Sequence, residues 1–200
     1  MNTVELIEFN RINREAREFV SLATDDYVAC RCCLMNGIFS GFRLASEAIE
    51  KYIKAFILYK EPPYPVKNYL HDIKKVASAA TNLEPSFNPT QHFGDIIDQL
   101  ELHYHLRYPR DTYPPYSASA AELAQIDELV LYLYESLPIP EVAKFRNDGY
   151  FFAVCCPWSP PIHFNPDKDW MQRQNVALDR VRSSLIQRYE AMEKELVDAQ

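Results

Sequence analysis

Apolar residues spaced three and four apart recur in one segment after another of this chain, and no other feature constrains its fold as much. Phe42, Ala45, Ile49, Tyr52, Ile53 and Phe56 fall on one side of a 3.6-residue repeat. Upstream, Val20, Ala23, Tyr27, Cys30 and Leu34 do the same. Downstream come Ile73, Val76, Ala80 and Leu83, then Phe93, Ile96, Ile97, Leu100 and Tyr104, then Leu123, Ile126, Val130, Leu133 and Leu137. A half-buried strand would alternate with period two, so these stripes predict five amphipathic helices. Val4 to Ile12 is also periodic and reads either as part of the first helix or as a short separate one.

Punctuation between the stripes supports this division. Gly37 after Asn36 suits a left-handed helix end. Glu61-Pro62-Pro63 stops the second helix, because proline lacks the amide and clashes with the preceding turn. The third helix is expected over about 69–83. Asn88 before Pro89 reads as a cap followed by a first-turn proline, and this fourth helix should stop before Pro109. Residues 107–117 read as a loop. Ser119 with Glu122 forms a capping-box signature for the fifth helix, which ends at Pro138.

The fold class that follows is all-α: an up-and-down antiparallel helical bundle of about five helices over 1–137, its core about 14–137, with a C-terminal helical extension over 138–200. Within the extension, Tyr150 to Cys156 reads as a short strand or an extended packing segment. Asn165-Pro166-Asp167 predicts the start of a last helix over about 166–197. Its seam of Leu178, Val181, Leu185, Tyr189, Met192 and Leu196 is expected to pack on the same bundle, with part of it serving a dimer contact.

Two hundred residues suit one domain, or one domain with an extension, and bury a core without disulfide staples. A formal net charge of −7 excludes the global attraction to polyanions of basic nucleic-acid binders, so any such contact needs a local basic patch. Five cysteines at 30, 32, 33, 155 and 156 make a poor disulfide framework and read as buried thiols in a reducing compartment. The charged N-terminal stretch does not resemble a signal peptide, and no apolar run approaches the length of a membrane span. The expected location is cytoplasmic, with no membrane partner.

Four short patterns occur in order: Ala23-x-x-Asp26-Tyr27; Gly37-Ile38-Phe39 with Ala45-x-x-Ala48-x-Glu50-Lys51-Tyr52-x-Lys54-Ala55; His71-Asp72-Ile73; and Arg107-Tyr108-Pro109. Together, over roughly 14–137, they resemble the HEPN domains (higher eukaryotes and prokaryotes nucleotide-binding). Such a resemblance implies a bundle of about five helices, often a homodimer, acting either as a ribonuclease, often a toxin paired with a nucleotidyltransferase, or as a noncatalytic nucleotide- or RNA-binding module. The ribonucleases carry an arginine followed four to six residues later by a histidine in the last helix. None of the histidines at 71, 92, 103, 105 and 163 has an arginine at that upstream spacing. The implied function is therefore noncatalytic: binding a nucleotide or RNA, or partnering a nucleotidyltransferase.

The candidate ligand-facing residues are Arg107, Tyr108 and Arg110, where guanidinium forks suit phosphate and the tyrosine ring suits a base. Their bland reading is a structural corner. Lys51 and Lys54 make a small cationic spot on the second helix, or else pair on the solvent side with Glu47 and Glu50 at the favourable four-residue offset. His71 and Asp72 form a polar site, with helix initiation or packing of His71 against the second helix as the plainer role. His103 and His105 do not share a helical face, so no metal site is expected, and no cofactor. Two alternatives stand beside the main reading: a divergent metal-independent ribonuclease using Arg107 with His103 or His105, and a structural protein–protein interaction module.

Overall fold

In a computed structural model of the protein, residues 3–66, 71–105, 119–140, 143 and 174–198 are described. They form seven α-helices and, among the described residues, no strand: α1 (Thr3–Ile12), α2 (Arg14–Met35), α3 (Gly41–Lys60), α4 (Ile73–Leu83), α5 (Pro89–His105), α6 (Ala120–Ser136) and α7 (Val176–Asp198). The chain is an all-α bundle. Tyr150 to Cys156 lies outside the described residues.

α3 is the axial helix. Fourteen of its twenty residues are buried, because α2, α4, α5 and α6 all pack against it. Its predicted stripe supplies the centre of the core, with Phe42, Ile49, Tyr52 and Ile53 almost fully covered. Gly41 allows the tightest of these contacts. A Cβ there would lie 2.7 Å from Leu34 Cγ and 2.9 Å from the Cys30 carbonyl oxygen, so the start of α3 presses directly on the end of α2.

The helix ends follow the sequence signals. Gly37 adopts φ 71, the Ile38 amide donates to the Cys33 carbonyl at 2.8 Å, and the Gly37 amide donates to Leu34 at 3.0 Å. That pair of bonds is a Schellman motif. Ser119 and Glu122 make the reciprocal capping box on α6. The Asn88 side chain accepts from the Gln91 amide at 3.1 Å in the first turn of α5.

Of the two readings open for the N-terminal periodic stretch, the separate helix is the one observed, since Asn13 (φ −98, ψ 25) interrupts it and turns its side chain back to the Phe9 carbonyl. Two boundaries differ from the sequence expectation. α4 begins at Ile73 and not near 69, because Asp72 is its cap and His71 holds a left-handed φ of 60. The last helix begins at Val176 and not near 166, because Gln174 (φ 53) cannot continue a helix and Asn175 caps the first turn, accepting from the Leu178 amide at 2.9 Å. Within the α7 seam, Leu178, Leu185 and Met192 are buried in the common core, and the side chains of Tyr189 and Leu196 lie outside the described residues. No helix among the described residues is long and apolar enough to cross a membrane.

A polar network lies inside this core. Arg31 from α2 is paired with Asp127 from α6, and both side chains are essentially without solvent exposure. The Tyr27 hydroxyl donates to Asp127 at 2.7 Å, and the Asn175 amide nitrogen lies 3.1 Å from that hydroxyl. Burial pushes the Asp127 carboxyl above the usual carboxylate range, against the opposing pull of Arg31 and Tyr27.

Candidate functional site

Glu50 links two of the sequence candidates. It faces inward from the middle of α3, and its carboxylate is 6% exposed. One oxygen accepts from the Lys54 ammonium one turn further along α3. The other lies 3.0 Å from His71 Nδ1. A carboxylate only accepts, so Nδ1 is the donor, while Nε2 is an acceptor in the neutral ring and a second donor in the protonated one. The His71 side chain is 55% exposed, so this buried ion pair reaches the surface through an imidazole.

The backbone holds that imidazole in place. The left-handed φ of His71 turns the chain sharply into α4, and the Asp72 carboxylate accepts the Lys75 amide at 2.9 Å. Burial works to raise the Asp72 carboxyl. The Lys75 ammonium and amide outweigh it and hold the group below its ordinary range. Glu101 of α5 accepts the Lys74 amide at 2.9 Å, which ties the N-terminus of α4 to its neighbour. The buried ring of Tyr104, also on α5, lies 5.3 Å from the His71 ring.

Lys75 extends the polar surface along α4. Its ammonium lies 2.8 Å from Asp72 Oδ2, and the side chain also lines a depression of about 370 Å³ with Tyr64, Ser78 and Asn82. Lys75, Ser78 and Asn82 are spaced for one helical face. An ammonium, a hydroxyl, an amide and an aromatic ring are thus presented together, none of which needs a metal to bind a polar ligand.

The predicted residues therefore separate. His71 and Lys54 are brought together by Glu50, and Asp72 caps the adjoining helix. Lys51 points elsewhere, toward Asp26 of α2, with Glu47 at 3.8 Å. Both lysines thus carry the carboxylate partners that the four-residue spacing offered. The Glu50–Lys54 pair is buried, though, not on the solvent side as the spacing suggested, because α3 is covered on nearly every face. Arg107, Tyr108 and Arg110 lie outside the described residues, and the side chain of His105 does too. His103 is enclosed between aromatic rings, stacked on Phe42 at 4.2 Å with Phe39 edge-on at 4.9 Å, and burial pushes its pKa down.

Sequence reasoning missed the hub role of Glu50 and the polar face of α4. The spacing of Lys75, Ser78 and Asn82, opposite the Ile73–Val76–Ala80 stripe, was the available signal. Among the described residues no group of three or more histidine, cysteine or acidic side chains is arranged to hold a metal ion. No protein-family model, curated protein or solved structure matches this chain.

Proposed function

We propose that this protein is a noncatalytic, HEPN-like helical module that binds a nucleotide or the phosphates and bases of RNA at the start of α4. The observation that carries this reading is the surface formed by His71, anchored on the buried Glu50–Lys54 pair and continued by Lys75 to the Ser78–Asn82–Tyr64 depression. The Lys75 ammonium and, in the protonated ring, His71 Nε2 supply hydrogen bonds to phosphate, and Tyr64 supplies a face for a base. Arg107, Tyr108 and Arg110 follow Tyr104 closely in sequence and are proposed to complete the patch. A homodimer and a nucleotidyltransferase partner belong to the same proposal.

A binding role suits the geometry better than cleavage. His103, one of the two histidines available to a divergent ribonuclease, is 4% exposed, beyond reach of a ribose hydroxyl. Thermal denaturation with a panel of mononucleotides and short RNAs tests the proposal. A ligand at a hundredfold its Kd stabilises the fold by about 2.7 kcal/mol, a rise of roughly 5–10 °C for a chain of this size. The rise should be lost in Lys75→Ala and reduced in His71→Ala. A flat response across the panel, with RNA left intact, sinks both the binding and the cleavage readings and leaves the structural module.

A further inference from the structure

α5 contains no proline after its first residue, yet its helix breaks in mid-course. Phe93 adopts φ −133 and ψ 29, and two helical stretches meet there. Gly94 follows the break. Its φ is not left-handed, and a Cβ placed on it would meet nothing within 4 Å, so neither a turn nor close packing calls for a glycine. An alanine there would gain helix propensity. What the glycine does leave open is a cleft of about 530 Å³ between the break and α6.

The chemistry of that cleft is distinct. Phe93 and His92 line it, and both rings are in contact with Tyr132, at 5.3 and 5.5 Å. Asp95 and Glu128 add two carboxylates, and Gln125 adds an amide. No lysine or arginine is among the described residues lining it. One carboxylate is already matched to a guanidinium, because Arg180 of α7 pairs with Glu128. A flat cation that stacks on rings and forks onto carboxylates fits this lining, whereas an anion does not.

We propose that the cleft at the α5 break binds an alkylguanidinium, stacked against His92 and Phe93 and held by Asp95 and Glu128. The group is supplied either by a free amine such as agmatine or by an arginine side chain of a peptide. The site is independent of the surface at His71. Phe93 and Tyr104 are eleven positions apart on α5, about 16 Å of helix rise.

Isothermal titration of the full chain with agmatine, with a blocked Gly-Arg-Gly tripeptide and with AMP tests this. Saturable binding of agmatine or of the tripeptide is expected, and which of the two binds identifies the source. Asp95→Asn should weaken it about tenfold, the equivalent of one charge-assisted hydrogen bond. Gly94→Leu should abolish it by filling the cleft, with helical circular dichroism and melting temperature retained because the position is open. Absence of saturable binding for both guanidinium probes overturns the proposal, as does binding that both variants leave unchanged. AMP binding that Gly94→Leu removes would also overturn it, by making the cleft an anion site.

Discussion

Arg31 and Asp127 occupy positions that helical spacing assigns to the core. Arg31 is four residues after Tyr27, and Asp127 follows Ile126 and precedes Val130. Their burial was legible from position and was obscured by their charge, since such residues are rarely buried without a partner. The partner is a residue 96 positions away, which no local pattern reveals. Arg31→Met should cost roughly 3–5 kcal/mol, because it leaves a buried carboxylate uncompensated. Arg31→Met with Asp127→Leu should cost markedly less than Arg31→Met alone, as urea denaturation would read. Equal losses would mean that the pair itself, and not the stranded charge, carries the stability. Glu50 illustrates the same limit. Its bond to Lys54 was visible in the four-residue spacing, but its bond to His71 depends on a backbone turn with positive φ at a residue other than glycine, which sequence seldom announces.

Among the elements, the stripes and caps were the legible part. The predicted apolar faces of α2 to α6 lie in or against the core, whereas Val4, Ile7 and Ile12 of α1 are exposed, and the Schellman motif at Gly37 and the capping box at Ser119 form as their residues indicate. Two glycines show where local reading stops, for Gly41 and Gly94 look alike in a helical pattern. Gly41→Ala should destabilise the protein by about 1–3 kcal/mol, since its methyl would press on Leu34 and the Cys30 carbonyl. Gly94→Ala should be neutral or stabilising by up to about 1 kcal/mol. Paired thermal melts check both, and a shared sign would contradict the packing described. The α5 break was hidden because Phe93 continues the apolar stripe, and the stripe alone does not reveal the backbone's departure from helical angles.

For the whole molecule, the buried histidine sets an acid limit. His103 has its pKa lowered from 6.5 chiefly by burial, with Glu122 opposing. Protonation therefore favours the unfolded chain. The contribution is complete above about pH 6.5 and is lost as pH falls from there through the folded pKa. Asp127, raised by burial, slopes the other way, gaining as pH falls through its own folded pKa. Comparison of the wild type with His103→Phe at each pH cancels that second slope. The difference in unfolding free energy should change by no more than about 1.4 kcal/mol per pH unit, and only below pH 6.5. A parallel pair of curves would remove His103 from the account. At this scale the bundle class was readable from periodicity. The site was only partly so, because the meeting of Glu50 of α3 with the His71 turn, and of that turn with Tyr104 of α5, is a property of the assembled helices.

Asn175 serves two clients with one side chain. Its oxygen closes the first turn of α7, and its nitrogen reaches the hydroxyl of Tyr27 in the interior. Asn175→Ala should therefore cost more than the roughly 1 kcal/mol of an ordinary cap, and limited proteolysis should then cut preferentially within the terminal segment. The deeper implication concerns order of events. The oxygen's bond needs only the neighbouring residues, whereas the nitrogen's needs the interior already built, so docking adds to the rod's stability at its own starting point and winding and attachment reinforce one another.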